Sequence, residues 1–305
     1  MPCYNEEEAL PLSAPVFRKK LGDLIDAGAI APESRIVLVD DGSKDATWSI
    51  IRSLHESDEH FTGLRQICNR GHQNALTAGL MWSRTRCDIT ISIDADLQDD
   101  IDAMDKMVEK YKEGCGIVCG VRASRATDTF LKRTTARGYY GLMKLFGSDL
   151  IYDHADYRLM SRETLDALSE YHEVNLFLRG IVPTLGYQTS KVYYERGERE
   201  AGESKYPLKK MIAFAIQGIT SFSTKPLSFV TGAGLLSILV AIGMFVYVLV
   251  SLGFGHAIAG WGSMMISIWL IGGLIMLSLG IVGEYVGKIY MESKHRPRYR
   301  IETTL

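Results

Sequence analysis

The residues best suited to chemistry are acidic and fall in two short clusters. Asp40-Asp41-Gly42-Ser43-Lys44-Asp45 follows the apolar run Arg35-Ile-Val-Leu-Val39, and Asp94-Ala-Asp96-Leu-Gln98-Asp-Asp100 follows Asp88-Ile-Thr-Ile-Ser-Ile93. In the first cluster a carboxylate can accept hydrogen bonds from a base or a ribose, and Gly42 permits a tight turn. Ser43 or Asp45 would serve equally well as a helix cap there. In the second, Asp94 and Asp96 are separated by one residue at a strand end and so point to the same side. Two like charges that close are costly unless a cation or a shared proton neutralises them. Hard oxygen ligands with open positions suit Mg²⁺ or Mn²⁺, which keeps waters and bridges phosphates. A solvated acidic turn is the plainer alternative.

Strands and helices must alternate to hold these clusters. Arg35–Val39 and Asp88–Ile93 read as buried strands, and Gly116-Ile-Val-Cys-Gly120 as a third. Residues 47–54 and 74–83 have helical spacing, and Ile101, Met104, Val108 and Tyr111 share one helical face. Strands separated by helices predict an α/β fold with a mostly parallel sheet that binds ligands at the carboxyl ends of its strands.

The chain has 305 residues, 47% of them hydrophobic, with 34 basic and 36 acidic side chains. That balance excludes a disordered chain and a nucleic-acid binder driven by bulk charge. Mean hydropathy of +0.02 is high for so charged a chain, because the greasy residues are concentrated near one end. Between Pro226 and Gly283 there is no Asp, Glu, Lys or Arg. Leu227–Leu252 and Met264–Gly283 each come near or exceed the roughly 20 residues that cross a hydrocarbon core. The link between them carries no Lys or Arg and offers Trp261 to the headgroup level. Lys205, Lys209, Lys210 and Lys225 precede the first run; Lys288, Lys294, Arg296, Arg298 and Arg300 follow the second. The excess of basic residues on these flanks predicts a multi-pass protein of the cell membrane with the large N-terminal part and both termini cytoplasmic. The N-terminus has no apolar signal core, and the odd count of five cysteines without a C-x-x-C pair reads as reduced thiols. The expected organisation is a catalytic domain over 1–205, an interfacial amphipathic helix over 206–225, a two-span hairpin over 226–287 and a basic tail over 288–305. In the interfacial helix Leu208, Met211, Ile212, Ala215, Ile216, Ile219 and Phe222 share one face.

Four segments then carry a resemblance. Pro2-Cys-Tyr-Asn-Glu6, Val39-Asp-Asp-Gly-Ser43, Asp94-Ala-Asp-Leu-Gln98 and Gly202-Glu-Ser-Lys-Tyr206 occur in that order. Together with the two apolar runs they resemble the family 2 glycosyltransferases that load a sugar onto a polyprenyl phosphate, the dolichyl-phosphate mannose synthase and bactoprenol glucosyltransferase group. The resemblance implies a GT-A domain, a nucleotide-sugar donor, a membrane polyprenyl phosphate acceptor of the undecaprenyl type and a Mg²⁺ or Mn²⁺ cofactor. By position it implies that Pro2, Tyr4, Glu6 and Asp41 hold the nucleoside, with Val39 behind the base. Asp94 and Ala95 lie at the donor, Asp96 and Gln98 nearest the metal, and Arg122 near the phosphates. Arg199 and Lys205 match a phosphate-binding basic pair. Asp156 and Arg158, in His154-Ala-Asp-Tyr-Arg-Leu-Met160, match the catalytic segment, whose Asp is the base. The donor preferred on this resemblance is UDP-glucose or UDP-N-acetylglucosamine.

Two departures stand out. An apolar strand normally precedes the first motif, and here Met1-Pro2 begins the chain, so either the start is truncated or the sheet lacks its first strand. Asp99-Asp100 stands where relatives have a proline-containing turn, which predicts a local change only. The turn Asn69-Arg-Gly-His-Gln-Asn74 reads as a helix cap, with Arg70 and His72 within reach of a donor as the alternative. The tail Arg296-Pro-Arg-Tyr-Arg300 leaves open pairing with a neighbouring copy, in a homo-oligomer, or with lipid headgroups. A catalytically silent membrane partner of a glycan-assembly or flippase complex is the rival reading.

Overall fold

The computed structural model describes residues 1–123, 154–173, 178–195 and 260–305, with single positions between 227 and 250. The expected strands and helices of the first half are present. In chain order they are β1 (Pro2–Cys3), α1 (Leu10–Asp26), β2 (Ile36–Asp40), α2 (Thr47–Ser57), β3 (Phe61–Gln66), α3 (His72–Ser83), β4 (Ile89–Ser92), α4 (Ala103–Lys112) and β5 (Ile117–Arg122). There follow β6 (His154–Ser161), α5 (Arg162–Ser169), the single turn α6 (Leu178–Ile181), a 3₁₀ turn, β7 (Thr189–Tyr194), α7 (Trp261–Ser293) and β8 (Ile301–Thr304).

The strands form two four-stranded sheets, ordered β1-β2-β3-β8 and β4-β6-β5-β7. Three pairings are parallel (β1–β2, β2–β3, β5–β7) and three antiparallel (β3–β8, β4–β6, β5–β6). The expectation of a mostly parallel sheet is therefore corrected to a mixed one. β6 runs back between β4 and β5, and β8 reaches β3 from the far end of the chain. Neither needs the right-handed crossover that makes βαβ units parallel.

Helices cover the faces. Met104, Met107 and Val108 of α4 pack with Val118, Tyr157 and Leu159, while Leu76 and Leu80 of α3 pack with Ile117, Met160 and Leu165. β1 has only two residues, and a cavity of about 570 Å³ lies between β2 and β4, walled by apolar side chains that include Ile36, Val37, Ile89 and Ile91. β1 lies inside the first motif, not before it, and pairs parallel with β2 through Pro2 and Cys3.

α7 is 33 residues long, about 50 Å at 1.5 Å per residue. Its segment Leu270–Ser293 has a mean hydropathy of 1.7 and is not covered by the rest of the chain. Among the described residues it is the one helix long and apolar enough to cross a membrane. The expected first span falls on positions described only singly, and the expected interfacial helix lies outside the described residues. The basic tail does not stand apart from the sheet. Ile67 donates its backbone N–H to the Arg300 carbonyl at 3.1 Å, and Leu305 donates to Gly63 at 2.9 Å. The alternation Ile301-Glu-Thr-Thr304 makes β8 an edge strand with Ile301 and Thr303 half-buried.

Candidate active site

The nucleotide-side loops are latched to one another by short polar side chains. Ser43 Oγ accepts from the Asn5 amide at 3.0 Å, Thr47 Oγ1 from Glu6 at 2.8 Å, and Asn5 Oδ1 from Lys44 at 3.0 Å. Asn5 has φ of 53°, the left-handed region that Asn tolerates better than most residues. Gly42, at φ +66°, lies so close to the next loop that a Cβ would come within 2.6 Å of the Cys68 carbonyl carbon. Asp41 is buried and accepts the backbone amides of Arg70 and Gly71, each at 2.8 Å. Burial lifts its carboxyl above the ordinary value against those two hydrogen bonds. Each oxygen keeps a further lone pair for a ligand. Pro2 lies in β1, Tyr4 is exposed and Glu6 half-buried beside it. Val39 is buried in a cluster with Leu64, Ala75 and Ala78, so its side chain packs against α3.

The second cluster is built by strand register. β4 and β6 pair antiparallel with Ser92 opposite Arg158. Two residues past the end of β4, Asp94 comes close to Asp156 of β6, both within reach of one imidazole. Like charges opposed this way repel, and three side chains offset them. His72 Nε2 stands 3.4 Å from Asp156 Oδ2 and 3.7 Å from Asp94 Oδ1. Arg179 grips Asp156 with Nε at 3.2 Å and Nη2 at 3.1 Å. Gln73 donates to Asp156 at 3.2 Å and accepts the Leu178 amide at 3.2 Å, tying α3 to α6. Burial alone would raise the Asp156 carboxyl, but His72 and then Arg179 outweigh it and hold it well below the usual carboxylate range. Burial opposes protonation of His72, yet the hydrogen bond to Asp156 and the charge of Asp94 raise its pKa. Burial first, and then the charges of Asp156, Asp99 and Asp96, lift Asp94.

Arg158 is fully buried, and its Nε and Nη2 find no hydrogen-bond partner among the described residues. It adds a minor positive influence on Asp156, two residues away on the same strand. Arg122 pairs with the buried Asp99 at 3.3 Å, and Tyr194 donates its hydroxyl to the same carboxylate oxygen at 2.6 Å. Tyr157 donates to the Asp100 carbonyl at 3.0 Å. The Asp99-Asp100 departure therefore ties the acidic loop to β5, β6 and β7, a wider effect than a local change of turn. Ala95 is buried in the loop. Leu97 takes φ of 54°, and the Gln98 amide donates to Asp96 Oδ1 at 3.3 Å. Arg199 and Lys205 lie outside the described residues.

Among the described residues no three His, Cys, Asp or Glu side chains converge into a ready-made metal cage. The donor set nevertheless fits Mg²⁺ or Mn²⁺, which needs one or two carboxylates plus substrate phosphates. Asp94, Asp96 and Asp99 lie in one loop, and burial first, then the neighbouring carboxylates, raise the pKa of Asp94.

Residues 1–169 match the domain described as glycosyl transferase family 2. The chain belongs to that family. The uncharacterized glycosyltransferase YkoT of Bacillus subtilis is 51% identical over 309 residues, covering 100% of this chain and 90% of the relative. The bactoprenol glucosyl transferase of Shigella phage SfX is 41% identical over 308 residues, covering 99% and 97%. These full-length matches put this family 2 transferase in the polyprenyl-phosphate group. The mannosyltransferase of Pyrobaculum calidifontis, solved with GDP-Man and Mn²⁺, is 18% identical, covers 95% of this chain and 82% of its own, and superposes with a TM-score of 0.40.

Three residues of this transferase's site escaped the sequence reading: His72 as a bridge, Gln73 and Arg179. One signal could have found the first two. They open the helix that follows β3, and the rule that ligands gather at strand carboxyl ends was applied only to β2 and β4.

Proposed function

We propose that the protein is an inverting glycosyltransferase that moves a sugar from a nucleotide-sugar, UDP-glucose or UDP-N-acetylglucosamine, to a membrane polyprenyl phosphate. The observation that carries this reading is the meeting of Asp94 and Asp156 at one imidazole, at the carboxyl end of β4. In a single displacement an acceptor phosphate oxygen forms a bond to the anomeric carbon. The bond from that carbon to the diphosphate breaks, and the nucleoside diphosphate leaves with the electron pair. An acceptor phosphate is already an anion near neutral pH, its second pKa being about 6. A strong base is therefore unnecessary, which agrees with an Asp156 held ionised by Arg179 and His72. In this reading Asp156 orients those two cations toward the incoming phosphate, and Arg158 adds a smaller share of the positive charge that favours its ionised form. A Mg²⁺ or Mn²⁺ ion at Asp96 would neutralise charge on the leaving diphosphate. Asp41 and the Pro2–Glu6 segment receive the nucleoside, while Arg199 and Lys205 supply further phosphate contacts.

The membrane side of the proposal is supported by topology. β8 follows α7 and pairs with β3, so the near end of α7 lies on the same side as the sheets. If α7 crosses a bilayer, its start at Trp261 lies on the far side, and the chain between β7 and α7 must cross as well. The apolar run 227–252 is the segment able to do so. With the basic flanks, this supports a two-span protein with its sheets in the cytoplasm.

The test is lipid-sugar formation in membranes carrying the protein, with each labelled donor supplied separately, undecaprenyl phosphate, and either Mg²⁺ or EDTA. Chelator-sensitive product is expected from one donor, falling about 10²–10³-fold in Asp96→Ala. Product unchanged by EDTA and by the substitution would overturn the metal assignment. No product from any nucleotide-sugar would overturn the transferase.

A further inference from the structure

Three arginines whose side chains the catalytic site does not use converge on one cavity. Arg70 comes from the turn after β3, and Arg296 and Arg300 from the segment joining α7 to β8. The cavity holds about 410 Å³, and Ile67, Cys68 and Pro297 complete its wall. It shares no lining residue with the Asp94–His72–Asp156 cluster.

These arginines differ from their neighbours. Arg65 faces Asp40 and Glu302, each at 3.6 Å, and Arg298 donates to the Tyr171 carbonyl. Arg70, Arg296 and Arg300 are exposed, and among the described residues none of their guanidinium groups has a carboxylate partner. The nearby acids are already engaged: Asp41 accepts the Arg70 and Gly71 amides, and Glu302 faces Arg65. Three like charges around one cavity repel unless an anion sits among them. The planar donor fork of arginine matches phosphate oxygens.

The position of the cavity selects the source of that phosphate. α7 is about 50 Å long, against about 40–45 Å for a hydrocarbon core with both headgroup layers. Its near end, Ser293, therefore lies at headgroup level, and Arg296 follows three residues later. Val282, Val286, Ile289 and Tyr290 are exposed at helical spacing, continuing an apolar stripe past Glu284 toward the cavity. We propose that this cavity binds the headgroup phosphate of an anionic membrane phospholipid and thereby holds the β3–β8 edge of the sheet against the membrane. The proposal rests on the membrane reading of α7 given above.

Cys68 supplies the probe, since it is an exposed free thiol on the cavity wall. The full chain is reconstituted in phosphatidylcholine vesicles with or without phosphatidylglycerol. Alkylation of Cys68 by N-ethylmaleimide is followed by peptide mass spectrometry, with the half-buried Cys87 as internal reference. Phosphatidylglycerol is expected to slow Cys68 about ten-fold relative to Cys87. The slowing should vanish in R296Q/R300Q and survive in R296K/R300K, which keeps the charge and controls for folding. Equal rates in the two lipids, or full protection in R296Q/R300Q, would sink the site. Equal protection by inorganic phosphate in phosphatidylcholine alone would reassign it to a soluble anion, and protection by undecaprenyl phosphate alone would reassign it to the acceptor lipid. Carbonate extraction of native membranes separates the two claims. A chain released without detergent defeats the membrane reading; a chain retained but unprotected at Cys68 defeats only the cavity.

Discussion

The two sheets hold their acids by different means. On the β1-β2-β3-β8 side, Asp41 is satisfied by two backbone amides and its loop is latched by Ser43, Thr47 and Asn5. On the β4-β6-β5-β7 side, Asp156 and Asp99 are satisfied by cations and hydroxyls: His72 and Arg179 for one, Arg122 and Tyr194 for the other. Backbone amides carry no titratable proton, so the partners of Asp41 keep the same charge at any working pH. Side-chain partners can change charge, so the second side can respond to substrate, metal and pH. A nucleoside needs a rigid slot, whereas a reacting diphosphate needs charges that can be redistributed. The contrast suits that division.

The largest effect expected from breaking it comes from Asp156→Ala. That change removes the buried carboxylate that Arg179 and His72 pair with, a loss of about 3 kcal/mol, the upper end for hydrogen bonds to charged groups. Chemical denaturation of the detergent-solubilised protein should show it, and transfer activity should vanish alongside. A stability loss well under 1 kcal/mol would mean that Arg179 and His72 do not depend on Asp156 for their placement. Next comes Gly42→Ala on the backbone-latched side. The positive φ alone costs a residue with a Cβ about 1–3 kcal/mol, and the approach to the Cys68 backbone adds to it. Here donor affinity should fall together with stability, whatever the pH. Unchanged affinity for the nucleotide would separate the Gly42 turn from the donor site.

The same contrast explains what the sequence could reveal. The backbone-latched side is local: β2, its acidic turn and Gly42 are contiguous, so apolar runs and turn chemistry were enough to find them. The side-chain-paired side is assembled from afar. Gln73 reaches Asp156 across 83 positions, and Tyr194 reaches Asp99 across 95. No window of periodicity contains both partners. His154–Met160 was legible only as a catalytic segment of the resemblance; that it forms β6, inserted antiparallel between β4 and β5, was not, because direction is set by the chain outside the strand. β8 was hidden for another reason. Its four residues carry one strongly apolar side chain and sit in a run of arginines, so charge dominated the reading while pairing with β3 decided the structure.

The smallest and sharpest test is the pH dependence of His72→Gln. The folded-state pKa of His72 is raised above its unfolded value of about 6.5. The contribution of its pairing with Asp156 and Asp94 is therefore fully present below about pH 6.5 and is lost as pH climbs through the raised folded pKa. The imidazole is 44% exposed, so solvent screening limits the contribution to below about 1 kcal/mol. Wild type and His72→Gln should differ most at mildly acid pH, and their denaturation midpoints should converge as the medium becomes alkaline. Asp156 moves oppositely: its depressed pKa gives stability that is present above about pH 4 and disappears only as pH falls toward the folded value, far below the His72 window. A pH scan from neutral upward thus isolates the imidazole from the carboxylate. On the backbone-latched side Ser43→Ala removes a neutral hydrogen bond of about 1 kcal/mol, and its difference from wild type should stay flat over the same scan. If Ser43→Ala showed the slope and His72→Gln did not, the assignment of a titrating half and a fixed half would be reversed.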